Sequence, residues 1–539
     1  IDKLCFKSLT DQNVGMSRED FKIEIGTDKE NRTITVSDNG IGMDEDDLEN
    51  NLGVIASSGS YKFKQEMDKD DKEDIDIIGQ FGVGFYSAFM VAKEITVITK
   101  KYGSDKAYKW QSTGADGYTI EECAKDTVGT QIIMKLKDTG LTAQDIKDKV
   151  NKYMIETYER FDFLAETAKD MYLYDENKTP YLDFYAGIAV NNAGSCNEKV
   201  VAAVKDQVED IMHTFNYPYT IPQALLAEKV CKTIGMDKIF YQNSGTEANE
   251  AMIKMARKYG VEKYGPNRYH IVTAKDGFHG RTFGAMSATG QPGNACQVGF
   301  GPMTYGFSYA PYNDLKAFED ACTENTIAIM IEPVQGEGGV HPATKEFMTG
   351  LRKFCDEHDM LLLIDEVQTG WCRTGAVMSY MNYGIKPDIV SIAKGLGGGM
   401  PIGAICATEE VSKAFTAGSH GTTFGGHPVS CAAALAEVNE LLDRNLADNA
   451  KKMGDYFSAE LEKLPHVKEV RHQGLLVGVE FDDTISGVDV KHGCFDRKLL
   501  ITAIGSHIIR MVPPLILTEA DCDKAYEIIK ETVESLSTK

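Results

Sequence analysis

An aspartate and a lysine each stand at the end of an apolar run. Leu361-Leu362-Leu363-Ile364 stops at Asp365, and Ile389-Val390-Ser391-Ile392-Ala393 stops at Lys394, ahead of Gly395-Leu396-Gly397-Gly398-Gly399-Met400. Such runs read as buried strands of a parallel sheet. Open α/β sheets place ligands beyond the carboxyl ends of their strands. A lysine amine there can form a Schiff base, and an aspartate can hold a pyridine nitrogen protonated. Together they are the smallest side-chain set for pyridoxal 5'-phosphate chemistry. The same two residues could also simply cap strand ends, and spacing alone does not separate the readings.

Four further groups bear on the choice. Ile239-Phe240-Tyr241 leads into Asn243-Ser244-Gly245-Thr246-Glu247 and then a helical pattern. Free N–H groups, the helix dipole and hydroxyls at such a start cradle an anion; a plain N-cap uses the same residues. In Phe278-His279-Gly280-Arg281, the aromatic ring can stack on a flat ligand and the guanidinium can grip a carboxylate. A turn with a solvated arginine has the same composition. Glu332-Pro333-Val334-Gln335-Gly336-Glu337-Gly338-Gly339 crowds two carboxylates at another strand exit, and His420 to Gly426 forms a second hydroxyl-rich loop around Thr423.

The elements that must position these groups form two patterns. From Tyr153 onward, helical segments (197–212, 223–233, 247–259, 312–324) alternate with apolar strands (239–241, 270–273, 327–331, 361–364, 389–392). This predicts an α/β layer with a mostly parallel sheet. Helix after Cys431, strands within 467–481 and 508–511, and a last helix from Ala520 predict a smaller α+β domain. The first ~140 residues instead alternate apolar and polar positions (21–25, 33–36, 94–99, 130–136), the mark of a half-covered sheet in an α+β fold. Two glycine motifs stand here: Asp38-Asn39-Gly40-Ile41-Gly42-Met43 after a strand, and Gly79-Gln80-Phe81-Gly82-Val83-Gly84 before a helical run. Lys62 to Asp76 reads as a charged surface loop. The expected organisation is a domain at 1–140, a junction at 141–152, and a body at 153–539, with its large domain at about 210–430 and its small domain from 153–209 and 431–539.

A net charge of −24 over 539 residues argues against nonspecific nucleic-acid binding. No run approaches the about 18–20 apolar residues of a membrane span. Twelve scattered cysteines without a C-x-x-C pair suit a reducing cytoplasm better than disulfides or a metal site. The start at Ile1 suggests a fragment or processed product, from which an organelle signal could be missing.

With its motifs in order, the chain from Tyr153 resembles the class III, fold-type I, pyridoxal-phosphate-dependent aminotransferases, and within them the acetylornithine and ornithine branch. Asn243-Ser244-Gly245-Thr246-Glu247-Ala248-Asn249-Glu250, the Glu332 to Gly339 segment and Asp365-Glu366-Val367-Gln368-Thr369-Gly370 carry the likeness. The resemblance implies transfer of the terminal amine of N-acetylornithine, or of an ornithine-like donor, to 2-oxoglutarate, in arginine biosynthesis. It implies that Lys394 holds the cofactor and shuttles the proton, and that Asp365 pairs with the ring nitrogen. Gln368 would reach the ring hydroxyl, Val367 and Phe278 would cover the two ring faces, and Ser244, Gly245 and Thr246 would bind the phosphate. Thr423 would arrive from the other subunit of a homodimer. Arg281 and Arg510 would bind substrate carboxylates, and Glu337 would mask Arg510 while the donor is bound. The chain departs from the family at Gly194-Ser195-Cys196-Asn197-Glu198 and at His427-Pro428.

Residues 1–138 resemble a truncated Hsp90-type ATP-binding domain, through the two glycine motifs, Asn50-Asn51-Leu52-Gly53 and Gly129-Thr130. The resemblance implies that Asp38, with Gly42 and Met43 of its motif, meets adenine. It places Asn51 at the nucleotide, Gly82 and Gly84 over the phosphates, and Thr130 behind the adenine. The family's general-base glutamate precedes the part matched here, so hydrolysis is not expected.

Overall fold

Alternating and continuous apolar patterns produce two different sheets. In the computed structural model, residues 1–11, 14–28, 31–52, 85, 88–114, 117–136 and 141–537 are described. The chain divides into two compact units, Ile1–Met154 and Ile155–Lys539.

The first unit is built on six antiparallel strands: β1 (Ile23–Asp28), β2 (Thr33–Asp38), β3 (Ala92–Lys100), β4 (Ala107–Ser112), β5 (Tyr118–Cys123) and β6 (Gly129–Leu136), in the order β1-β2-β6-β3-β4-β5. The register lines up Ile25, Val36, Ile132, Val97, Trp110 and Ile120 across all six. Directly opposed residues share a face, so this row is apolar throughout. Leu48 and Leu52 of helix Glu45–Leu52 cluster with Val97, Trp110, Ile120 and Ile132 of that row. Alternation marked four of the six strands. It passed over β4 and β5; β5 is an edge strand whose Glu121 and Glu122 face solvent, so no buried stripe shows. The charged run at 62–76 and the second glycine motif lie outside the described residues.

The second unit holds a seven-stranded sheet: β7 (Lys238–Gln242), β8 (His270–Ala274), β9 (Phe307–Ala310), β10 (Thr326–Ile331), β11 (Leu361–Asp365), β12 (Ile389–Ile392) and β13 (Gly403–Ala407). Their order is β7-β13-β12-β11-β10-β8-β9. β13 runs antiparallel to both neighbours, and every other pairing is parallel. β10 and β11 are buried at every position, which is why they read as unbroken apolar runs. Helix Gly245–Tyr264 covers one face through Ala248, Ala251, Met252 and Met255. β9 and β13 escaped the sequence reading because one is a short edge strand and the other is made of small residues after Gly399-Met400-Pro401.

Past Cys431 the helical region breaks at Asn445, whose φ of 50° ends helix Pro428–Asp443 and opens helix Leu446–Leu461. A four-stranded antiparallel sheet follows: β14 (Val467–Gln473), β15 (Leu476–Phe481), β16 (Thr502–Ile504) and β17 (Ile508–Met511), ordered β14-β15-β17-β16. It delivers Arg510. The departure at Ser195-Cys196-Asn197 has a local role: the Asn197 side chain caps helix Glu198–Asp210 by accepting from the Lys199 and Val200 N–H groups. Among the described residues no helix is long and apolar enough to cross a membrane.

Candidate active site

β11 and β12 are parallel neighbours, with Asp365 opposite Ser391. Asp365 and Lys394 therefore leave the sheet side by side, into a cavity of about 560 Å³. Lys394 sits just past β12 with a φ of 46°, a left-handed turn that a non-glycine residue rarely takes. Burial holds its amine below the usual lysine range and nearby Arg510 adds to this, against the pull of Glu337 and Asp365. The neutral, nucleophilic form is thereby favoured.

Asp365 is 3% exposed and fully engaged. Its Oδ2 accepts from Asn249 Nδ2 at 2.7 Å and from His279 Nδ1 at 2.8 Å, and its Oδ1 accepts from the Val367 N–H at 3.0 Å. Burial alone would depress the His279 imidazole, but the hydrogen bond and charge of Asp365, with Glu332 behind it, raise it above its ordinary value. Asn249 Nδ2 also donates to the His279 carbonyl, which closes the cluster.

The far wall is the start of helix Gly245–Tyr264. The Ser244 hydroxyl donates to Glu247 Oε2 at 3.0 Å and accepts from the Glu247 N–H. The first N–H groups of a helix have no acceptor within it, so those of Gly245 and Thr246 are available at the cavity that both residues line. Gly245 must lack a side chain: a Cβ there would lie 2.5 Å from Val367 Cγ1. Thr246 Oγ1 accepts from the Arg281 and Thr282 N–H groups and so ties the Phe278 to Arg281 loop to the helix start. Phe278 lines the cavity, held through its own N–H by Glu332 Oε2 at 2.9 Å. Arg281 is exposed, its guanidinium 5.5 Å from the centre of the Phe278 ring.

Behind Gln368 of the cavity wall, Arg510 is 2% exposed and donates to Glu337 Oε1 at 2.5 Å and to Gln368 Oε1 at 3.3 Å. Gln368 Nε2 donates in turn to Glu337. Burial works to raise the Glu337 carboxyl, but Arg510 and then Lys394 hold it below its usual range. Thr423 is not at the cavity; it is exposed and lines a separate depression with His420 and Gln242. Sequence reading assigned no role to Asn249, His279, Glu332 or Tyr158, all of which line the cavity. Asn249 was detectable in principle: it lies four residues after Gly245, on the same helix face.

The residues fit pyridoxal phosphate on grounds of their own chemistry. A helix start with unused N–H groups, a carboxylate fixed by three donors, an aromatic wall and an amine of lowered basicity share one cavity. His279 Nε2 and Asn249 Oδ1 are buried there without a partner.

In the first unit, Asp38 and Thr130 are paired across β2 and β6. Thr130 Oγ1 lies 3.0 Å from Thr99 Oγ1, which accepts from the Met43 N–H. Asp38 Oδ1 accepts from the Gly40 N–H at 2.8 Å. Gly42 takes φ 66° and lies so close to β3 that a Cβ would meet the Lys100 carbonyl. Asn51 stands apart on helix Glu45–Leu52, its amide bonded to the Asp47 carbonyl. Gly82 and Gly84 lie outside the described residues.

A mostly parallel sheet with one reversed strand, an anion-binding helix start and a lysine at a strand exit define a fold-type I pyridoxal-phosphate enzyme. Residues 153–533 match the family Aminotransferase class-III, and the chain belongs to it. Residues 8–136 match a second family, Histidine kinase-, DNA gyrase B-, and HSP90-like ATPase. The acetylornithine aminotransferase of Caldanaerobacter subterraneus subsp. tengcongensis is 44% identical over 390 residues, 71% of this chain and 98% of that one. That of Methanocaldococcus jannaschii is 43% identical over 388 residues, 71% of this chain and 96% of that one. The crystal structure of ornithine aminotransferase from Toxoplasma gondii ME49 superimposes with a TM-score of 0.71 at 30% identity, covering 74% of this chain and 97% of that one. The protein is thus a pyridoxal-phosphate-dependent aminotransferase acting on amino and oxo acids, preceded by a unit of Hsp90-like ATPase type.

Proposed function

We propose that the protein transfers the terminal amine of N-acetylornithine, or of an ornithine-like ω-amino donor, to 2-oxoglutarate. The carrying observation is the Arg510–Glu337 pair with Gln368 against it. An ω-amino donor carries its reacting amine far from its carboxylate, so it needs no cation beside Lys394, and Glu337 neutralises Arg510 while it is bound. A dicarboxylate needs both Arg281 and Arg510, each suited to bidentate pairing. The relatives' names support the same substrate class.

Pyridoxal phosphate supplies, when bound, the electron sink for the carbanion next to the transferred nitrogen. This chain supplies the rest. Lys394 would hold the cofactor through its amine and move the proton at the substrate carbon, a task that burial favours by lowering its basicity. Asp365, fixed by Asn249, His279 and the Val367 N–H, would keep the ring nitrogen protonated. Ser244, Gly245 and Thr246 would bind the phosphate, Phe278 and Val367 would cover the ring faces, and Gln368 would reach the ring hydroxyl. The exposure of Thr423, Phe424 and Phe283 supports a homodimer in which Thr423 serves the neighbouring site. Arginine biosynthesis in the cytoplasm is the matching setting.

A donor panel with 2-oxoglutarate tests the reading. N-acetylornithine is expected to give a kcat/KM about tenfold or more above that of 4-aminobutyrate. A clear preference for 4-aminobutyrate would overturn it.

A second reading concerns the first unit alone: Asp38, Thr130 and the Thr99–Met43 contact support adenine binding there. ATP titration of the protein, with Asp38→Asn alongside, tests it. Equal binding, or equal lack of binding, by the two forms removes it.

A further inference from the structure

Glu337 lies in Gly336-Glu337-Gly338-Gly339, a loop with little stiffness of its own. Something outside it must fix where the carboxylate stands. The register of the C-terminal sheet supplies the means. Arg471 on β14 is paired with Gly478 on β15, and Gly478 is paired with Arg510 on β17. Opposed residues share a face, so two arginines flank one glycine in a row. Without a side chain, Gly478 lets the loop settle between them: a Cβ there would lie 2.8 Å from Val340 Cβ and 3.3 Å from the Gly339 carbonyl. Arg510 takes the Glu337 carboxylate. Arg471 donates twice to the Gly339 carbonyl, from Nε at 3.1 Å and from Nη2 at 3.0 Å. Its remaining Nη1 is neutralised by Glu469 and Glu480, so it adds no free positive charge to the site. The side chain is 7% exposed.

We propose that Arg471 is a positioning residue for substrate selection: with Gly478 it seats the glycine loop and so sets how firmly Glu337 covers Arg510. This rests on the reading that Glu337 masks Arg510 for the amine donor. When the loop is loosened, Glu337 leaves Arg510 more readily. The donor half-reaction then weakens, while the dicarboxylate half-reaction, which needs Arg510 open, is spared.

The test uses the full-length holoenzyme and follows each half-reaction separately through the cofactor absorbance. In Arg471→Met, the ratio of kcat/KM for N-acetylornithine to that for 2-oxoglutarate is expected to fall about fivefold or more. Arg471→Lys, which keeps an N–H for the Gly339 carbonyl, restores part of the ratio. In a Glu337→Gln background the Arg471 substitution moves the ratio no further. Should Arg471→Met fail to fold, Gly478→Ala, which crowds Val340 and the loop, is expected to shift the ratio the same way. Loss of both half-reactions by one common factor, or an unchanged ratio, overturns the proposal. An unchanged ratio in Glu337→Gln alone instead overturns the masking reading beneath it.

Discussion

The two units place polar residues at strand ends in the same manner and use them differently. In the first, Asp38 bonds the N–H of Gly40, two residues on, and Thr130 meets its cross-strand neighbour Thr99. These contacts close a turn and join the two central strands, β3 and β6. In the second, Asp365 is held by Asn249 from a helix and by His279 from a loop, and Arg510 reaches Glu337 and Gln368 from another sheet. Each of these donors rides on a different element, and the Asp365 and Gln368 that they hold line one cavity. A polar strand end becomes a reaction site when separate elements aim complementary groups at it.

That contrast can be broken most directly at Lys394. Lys394→Ala is expected to lower kcat by about 10⁴-fold and abolish the yellow absorbance of the holoenzyme; a variant that stays active would show that the convergence means nothing. Next is Asp365→Asn, expected to cost about 10²–10³-fold in kcat, because the neutral amide no longer stabilises a protonated ring nitrogen. Stopped-flow kinetics on the purified variant measure this. Arg510→Met sharpens the comparison behind Gln368: loss of a charge-assisted pair worth about 2–3 kcal/mol should raise the KM for 2-oxoglutarate by about 30–160-fold.

A smaller effect is thermodynamic. Burial, reinforced by Glu440, pushes the Glu437 carboxyl up to about 8 from 4.5. The native chain keeps a proton there that the unfolded chain gives up. Its contribution to stability is full below 4.5 and is lost as pH rises through 8. Glu437→Gln should therefore lessen the fall in Tm between pH 5 and pH 9 by about 1–3 °C, read by scanning calorimetry. The smallest effect belongs to the first unit: Asp38→Asn is expected to leave transamination within about twofold of the parent, and a larger change in kcat would show that the two units are coupled.

Legibility in the sequence followed the same line. Asp365 and Lys394 stood out because a charge that ends an unbroken apolar run needs polar partners or a ligand where it stands. Ser244 stood out as a helix cap. The mostly parallel sheet followed from runs buried on both faces. Asn249 and His279 were hidden inside motifs because their importance depends on which way the side chain faces once helix and loop have packed. The alignment of Arg471, Gly478 and Arg510 could not be read at all, since it depends on the register of two strand pairings. Strand β13 was missed because small residues beside glycine and proline carry no periodic signal, yet its first residue packs against the cap: a Cβ on Gly403 would lie 2.3 Å from the Ser244 carbonyl.

The left-handed backbone at Lys394 has a consequence for redesign. A lysine in that region costs on the order of 1–2 kcal/mol, and it persists only where the surroundings enforce it. Transplanting this chemistry to another α/β scaffold therefore takes more than placing a lysine after a strand. The donor segment must bring the turn that follows, Gly395 included, where a Cβ would lie 2.3 Å from Asn192 Nδ2. A library that varied side chains on a fixed β-extended exit would aim the amine along a different vector, so backbone torsion belongs among the variables of any such search.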